Sequence, residues 1–166
     1  IRTSLLSITN RGIFLVSKTV VWLVFSFFIS FLSIFLTINM THYVLGQDGL
    51  LLFSLNGRVW FYIFLASIAW TLLGLLAYIM ALTFKTAIVP LLFLLPQVYN
   101  LGTFLANYIS VAKFLPVALG QGLIATSSQI LEHNSLQNIL FLLCWNFSFL
   151  AIAIYRLLKS DVGGGE

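Results

Sequence analysis

A row of polar side chains interrupts an otherwise apolar stretch in the second half of the chain. Gln97, Asn100, Thr103 and Asn107 follow one another at intervals of three, three and four residues. In an α-helix these intervals place all four side chains on one face. Two roles suit such a face inside a membrane: hydrogen bonding to neighbouring helices, or lining a cavity for a substrate.

A second set of candidate residues lies at the start of the chain. The first ten residues are short of acids and mix Leu5, Leu6 and Ile8 with polar and basic side chains, which predicts a helix at the membrane surface. Such a segment is either a charged flank that sets topology or a docking element for a cytoplasmic partner. The candidate docking residues here are Arg2, Thr3, Ser4, Leu5, Leu6 and the adjoining Arg11.

Most other chemistry is disfavoured by what the sequence lacks. Asp48, Glu132, Asp161 and Glu166 are the only acids, and all are predicted to lie in connections or the tail, so no carboxylate is available inside the membrane to couple transport to protons or ions. No G-x-x-x-x-G-K-[ST] loop is present, and no Ser or Cys has a His and an acid at matching depth. We therefore predict a chain that is not an enzyme and that binds no cofactor or metal of its own.

The composition excludes a soluble domain and predicts an all-α integral membrane protein. Hydrophobic residues make up 61% of the 166 and charged residues only 7%, with a mean hydropathy of +1.08. Soluble domains average about a quarter charged residues. The net charge of +4 is not gathered into a basic stripe, so no nucleic-acid partner is expected.

Stretches without charge predict four membrane-spanning helices, because about 20 apolar residues cross a bilayer core. They lie near 14–38, 59–84, 87–111 and 137–157. A fifth apolar stretch, 114–131, contains proline, glycine and several polar residues, and we predict that it forms a re-entrant helical hairpin before the last span.

The basic residues predict the orientation of these spans. Four crossings place both ends on one side, which then collects six of the eight Lys and Arg residues. By the positive-inside rule that side is cytoplasmic. The prediction is one multi-pass domain over 1–160 and a flexible tail at 161–166, in a fragment of a longer protein.

The second predicted span carries a row of small residues on one face. Ser67, Thr71, Gly74, Ala77 and Ala81 recur at steps of three and four. Small side chains let two helices approach closely in a membrane, so this row predicts a packing seam, either within the chain or across a dimer.

The order of these elements resembles the permease subunits of the type-2 ATP-binding-cassette (ABC) exporter superfamily. Thr3, Leu5 or Leu6, Arg11 and the pair Ser17-Lys18 stand where those permeases carry their cytoplasmic coupling-helix motif. The chain departs from that motif at Arg2, where glycine is usual, and at Ile8-Thr9, where proline is usual. The family's re-entrant helical pair before its last crossing is similar to 114–131.

The resemblance implies a transport function and its partners. This chain would be half of a permease dimer, either a homo- or a heterodimer. It would lie in the cell membrane of a bacterium, with both chain ends cytoplasmic. A separate ABC ATPase subunit would hold the ATP and Mg and would contact the coupling helix. The substrate would be an amphipathic peptide, as in bacteriocin immunity, or another hydrophobic molecule. The alternative is a non-transporting scaffold or assembly subunit of a membrane complex, in which the polar row serves as an assembly surface.

Overall fold

The computed structural model describes residues 11–44, 57–101, 104–105, 108–124 and 135–159. Within these ranges the chain is helical, and none of them contains a β-strand. The predicted all-α class is confirmed for this part of the chain.

In the described part of the chain, three helices are long and apolar enough to cross a membrane. They are α1 (Arg11–Val44), α2 (Gly57–Phe84) and the last helix of the chain, α5 (Ser135–Lys159). The shortest has 25 residues, which at 1.5 Å per residue gives about 37 Å, more than the roughly 30 Å hydrocarbon core. These helices contain the first, second and fourth predicted spans and indicate a membrane protein.

The helix α2 lies between α1 and α5, antiparallel to α1 and parallel to α5. At one end the Nη1 of Arg156 donates a hydrogen bond of 2.7 Å to the carbonyl of Thr83. Toward the other end the ring of Phe35 stacks on Trp60, with 5.8 Å between centroids. We call these the Lys85 end and the Gly57 end of the bundle, since those residues flank α2.

The seam predicted on α2 packs within the chain at Gly74. A Cβ on this glycine would lie 2.9 Å from Cη2 of Trp22, so only hydrogen leaves room for the indole. Trp22 in turn stacks on Tyr78, with 5.3 Å between centroids and 10° between planes. Close contact of α1 with α2 therefore depends on a missing side chain.

After α2 the chain reverses in a tight turn. Lys85 has a positive φ of 54°, the left-handed conformation that commonly ends a helix. A short helix, α3 (Ile88–Pro96), then packs back against α2. It passes directly into a π-helical turn, Gln97–Leu101.

The predicted span 87–111 is therefore helical but irregular. Helical residues recur at Phe104, Leu105 and Tyr108, and the amide of Ile109 donates to the carbonyl of Leu105 at 2.8 Å. Ile109 itself is extended, so the helix ends before the predicted limit. Pro96 accounts for the interruption, because its ring removes an N–H donor and clashes with the preceding turn.

A 3-10 turn, Ser110–Phe114, and the helix α4 (Pro116–Ile124) follow. Six of the nine α4 residues are buried, and a Cβ on Gly120 would lie 2.7 Å from Cδ1 of Leu73 on α2. The predicted hairpin at 114–131 thus begins with a buried helix, while 125–131 lie outside the described residues.

The bundle has two apolar clusters along its length. In the half toward the Gly57 end, α4 packs with α2 and α5 through Leu119 and Leu123. In the half toward the Lys85 end, α2 and α5 pack with the Trp22 indole of α1 instead. The helix α4 thus occupies only one half of the bundle.

Candidate functional site

Gln97 joins the end of α3 to the beginning of α4. Its side chain is 4% exposed. The Nε2 donates to the carbonyl of Phe93 at 2.9 Å, and the Oε1 accepts from the amide of Val117 at 3.4 Å. Val117 lies in the first turn of α4, where backbone N–H groups have no partner within the helix. The glutamine therefore satisfies a buried donor at a helix start.

The same turn is held from its other side by α5. The Nε1 of Trp145 donates to the carbonyl of Phe114 at 2.9 Å. The Phe114 ring meets Phe141 edge-on at 4.9 Å, and Trp145 lies 6.3 Å from Phe93 on α3. The turn at 114–117 is thus fixed between α3 and α5 by one hydrogen bond from each.

This turn lies at about half the length of the bundle. Trp145 is ten residues into α5, and Gln97 is nine residues after Ile88. At 1.5 Å per residue Trp145 is about 15 Å from the start of α5 and Gln97 about 14 Å from the start of α3, and these two starts lie at opposite ends of the bundle. Two separate helices therefore place the start of α4 at the same depth.

Two buried asparagines on α5 were not among the predicted site residues. Asn146 donates through Nδ2 to the carbonyls of Leu72 and Leu142, at 3.2 and 2.8 Å, while its Oδ1 has no partner among the described residues. Asn138 is fully buried, and both its polar atoms lack a partner there. Their spacing in the sequence could have indicated them, since residues eight apart lie about two helical turns apart on the same side of a helix.

Of the predicted polar row, the structure places the side chain of Gln97 alone. Asn100 lies in the π-helical turn, while Thr103 and Asn107 are outside the described residues. Hydrogen bonds in a π-helix skip one residue more than in an α-helix, so intervals of three and four do not return to the same face across this turn. The common face of the four residues stays a prediction. For Gln97, the hydrogen-bonding role is the one observed.

Of the predicted coupling residues, Lys18 is the one with a described side chain. Its ammonium lies 4.6 Å from the centroid of Phe14, on the exposed surface of α1 near the Lys85 end. Arg11 is the first residue of α1. The residues Arg2, Thr3, Ser4, Leu5 and Leu6 precede the described ranges.

The described ranges contain basic residues but no Asp or Glu. Lys18 and Arg156 therefore have no carboxylate partner there, and each lies near a ring instead: the Arg156 guanidinium is 5.7 Å from the centroid of Phe84. In the same ranges no three His, Cys, Asp or Glu side chains are grouped as a metal would require. Among the described residues, the charged side chains at the Lys85 end are cationic.

Comparisons with known proteins add no relative to this picture. No protein-family model, no curated protein and no solved structure matches the chain significantly. The function is therefore inferred from the residues of this chain and their geometry.

Proposed function

We propose that this chain is the membrane-spanning permease subunit of an ATP-driven ABC exporter, which moves an amphipathic peptide or other hydrophobic substrate out of the cell with a separate ATPase subunit. The observation that carries the proposal is the order of its elements. In the sequence, the segment predicted to be the coupling helix precedes the long helices α1 and α2, and in the structure a short buried helix that starts about halfway along the bundle precedes the last one.

The proposed topology has four crossings and a re-entrant hairpin, with both chain ends cytoplasmic. The third crossing would begin with α3 and end at Tyr108, 21 residues that rise about 31 Å. The 3-10 turn would then lead back to mid-depth, and α4 would lead out again. The hydrogen bonds of Gln97 and Trp145 to the turn at 114–117 support this arrangement, because they hold a non-helical segment where only protein can cover it.

In this proposal the Lys85 end faces the ATPase. The segment from Arg2 to Leu6, with Arg11 and Lys18, would receive the movement of the ATPase on ATP binding. The helix α1 then serves as a lever, because its 34 residues extend about 51 Å without a proline. Because α1 packs mainly against α2, a tilt of α1 would act first on the Trp22–Tyr78 stack.

The substrate cavity would be lined by the polar row of the third crossing, with Gln97 at its innermost point. Amide side chains accept and donate, so they suit the backbone of an amphipathic peptide without requiring a charged partner. The Oδ1 of Asn146 and the polar atoms of Asn138, which have no partner among the described residues, add acceptors and donors in the same bundle. Movement of the turn at 114–117 would alter access to them.

The first test is the identity of the partners. The full-length protein is purified from its own membranes in gentle detergent, and co-purifying proteins are identified by mass spectrometry. We expect a stoichiometric soluble protein with a G-x-x-x-x-G-K-[ST] loop and a second permease subunit. Recovery of other membrane proteins alone, without ATP hydrolysis in the complex, would contradict the proposal.

The second test addresses coupling. Thr3→Ala, Leu5→Ala and Arg11→Ala should leave the protein in the membrane but reduce substrate export per ATP hydrolysed by the complex. Arg58→Ala is the matched control, because it removes a charge beside the first residue of α2 at the opposite end. Export by all three variants at the wild-type ratio would refute the coupling role.

A scaffold or assembly subunit is the second candidate, and Gln97 favours it. Both hydrogen bonds of this side chain stay within the chain, as expected for a structural link. In a scaffold, Gln97→Leu lowers the yield of the assembled complex before it changes any flux. In an exporter, the residual assembled complex shows reduced transport as well.

A further inference from the structure

A groove opens between α1 and α2 in the half of the bundle toward the Lys85 end. It has a volume of about 440 Å³. One side of it is a single face of α1, since its residues on that helix recur every three or four positions. The lining residues are Phe14, Ser17, Lys18, Val21, Trp22, Phe25 and Tyr78.

The floor of the groove is rigid and aromatic. Trp22 and Tyr78 stack in parallel, and Gly74 lets the indole lie flat against α2. The walls are apolar side chains that point outward, with Phe25 66% and Val21 57% exposed. An apolar ligand in the groove would therefore contact a preformed surface.

One charge lies in the groove, the ammonium of Lys18. It is five residues after Ile13, where the membrane-crossing part of α1 begins, so its Cα lies about 8 Å inside that boundary. A lysine stem can extend toward the interface and place its charge among lipid headgroups. No Asp or Glu among the described residues competes for it.

The length of the groove matches one leaflet of the bilayer. From Phe14 to Phe25 the helix rises about 16 Å, close to half of the roughly 30 Å hydrocarbon core. The geometry points to an anionic phospholipid as the occupant: its acyl chain lies on the Trp22–Tyr78 floor and its phosphate binds Lys18. This site is independent of the proposed transport function.

The test uses the purified full-length protein equilibrated with vesicles of equal phosphatidylglycerol and phosphatidylcholine content. Native mass spectrometry then counts the lipids that remain bound. We expect wild type to retain phosphatidylglycerol in preference to phosphatidylcholine. Lys18→Gln should reduce that preference about fivefold, the contribution typical of one basic residue near an anionic membrane surface, and Lys18→Arg should preserve it.

Matched controls separate the groove from the general surface. Lys85→Gln removes a charge from the same end but outside the groove, and should leave the preference unchanged. Val21→Trp fills the groove and should reduce retention of both lipids, whereas Val24→Trp adds the same bulk outside the lining.

Three outcomes would overturn the site. If Lys18→Gln keeps the wild-type lipid preference, Lys18 does not bind the headgroup. An equal effect of Lys85→Gln shows a general attraction of anionic lipids to the basic end. A change of oligomeric mass in Val21→Trp, with lipid counts unaltered, shows that the groove receives a second copy of the chain.

Discussion

The two longest helices are closely similar in length and apolar character but differ in their surroundings. In the most apolar 18-residue stretch of α1 no residue is buried, whereas 61% of the corresponding stretch of α2 is. The difference lies in the neighbouring helices, since α1, α3, α4 and α5 all pack against α2, whereas α1 packs mainly against α2. The exposed face of α1 carries large groups such as Phe25, Phe28 and Leu32, while α2 brings Ala69, Gly74 and similar small residues to its neighbours. Hydropathy indicates that a helix suits a membrane, and small residues such as Gly74 indicate where another helix can approach it closely.

The largest expected effect tests this difference with a matched pair of leucines. Leu142 on α5 is completely buried against α2 and α4, while Leu32 on α1 is 60% exposed. Leu142→Ala should lower the free energy of unfolding by about 2–5 kcal/mol, because it leaves a cavity. Leu32→Ala exchanges contacts with lipid and should change it by less than about 0.5 kcal/mol. Unfolding of the detergent-solubilised protein by denaturant measures both, and equal losses would remove the distinction between the helices.

The next effect concerns the link between α3 and α4. Gln97→Leu removes the acceptor of the Val117 amide and leaves a buried N–H unpaired, at a cost of about 1–3 kcal/mol. The exposed Tyr99 provides the control, because Tyr99→Leu alters a nearby side chain that faces outward. Hydrogen exchange of 114–124 should accelerate in Gln97→Leu alone. Unchanged exchange in this variant would mean that Trp145 holds the turn without the glutamine.

A matched pair of glycines tests the close approach of α1 to α2. Gly74→Ala forces the Trp22 indole to shift and weakens its stack on Tyr78, which should cost about 1 kcal/mol. Around Gly57 nothing lies within 4 Å of an added Cβ, so Gly57→Ala should leave stability unchanged or slightly raise it. Denaturant unfolding compares the two. A neutral Gly74→Ala would show that α1 moves aside freely.

The smallest effect on the free energy of unfolding is expected for two threonines whose hydrogen bonds stay within one helix. Thr71 on α2 is buried and Thr37 on α1 is exposed, yet each hydroxyl donates to a carbonyl of its own helix, at 2.6 and 2.8 Å. Because neither hydrogen bond joins two helices, Thr71→Val and Thr37→Val should each change the free energy of unfolding by less than about 0.5 kcal/mol. A substantially larger loss for Thr71→Val would reveal a second role for its hydroxyl in the interior.

The spans could be predicted from the sequence to a useful degree. Charge-free stretches predict α1, α2 and α5. Small residues predict the seam on α2, and Trp22 packs on that seam at Gly74. The third span was less well predicted. Its charge-free stretch predicts one continuous helix, whereas the structure has a π-helical turn after Pro96 and an extended Ile109.

The candidate site was predicted only in part, for a related reason. A polar residue in an apolar stretch shows that it must find a partner, and Gln97 was selected on that basis. Its partner, the Val117 amide, is twenty residues away, and no local pattern specifies the pairing. Asn138 and Asn146 are single polar residues in a span that is apolar on average. The contact of Asn146 with Leu72 joins residues that are 74 apart in the chain.

By itself the sequence determined that this protein is helical and suited to a membrane, and where most of its long helices begin and end. Those properties follow from hydropathy, charge and proline, which act over one or two helical turns. The tertiary structure decided that α2 is central, that α4 starts at mid-depth and that Lys18 borders a groove. These features depend on which side chains from distant helices can approach one another, and close packing settles that only when all the helices are assembled.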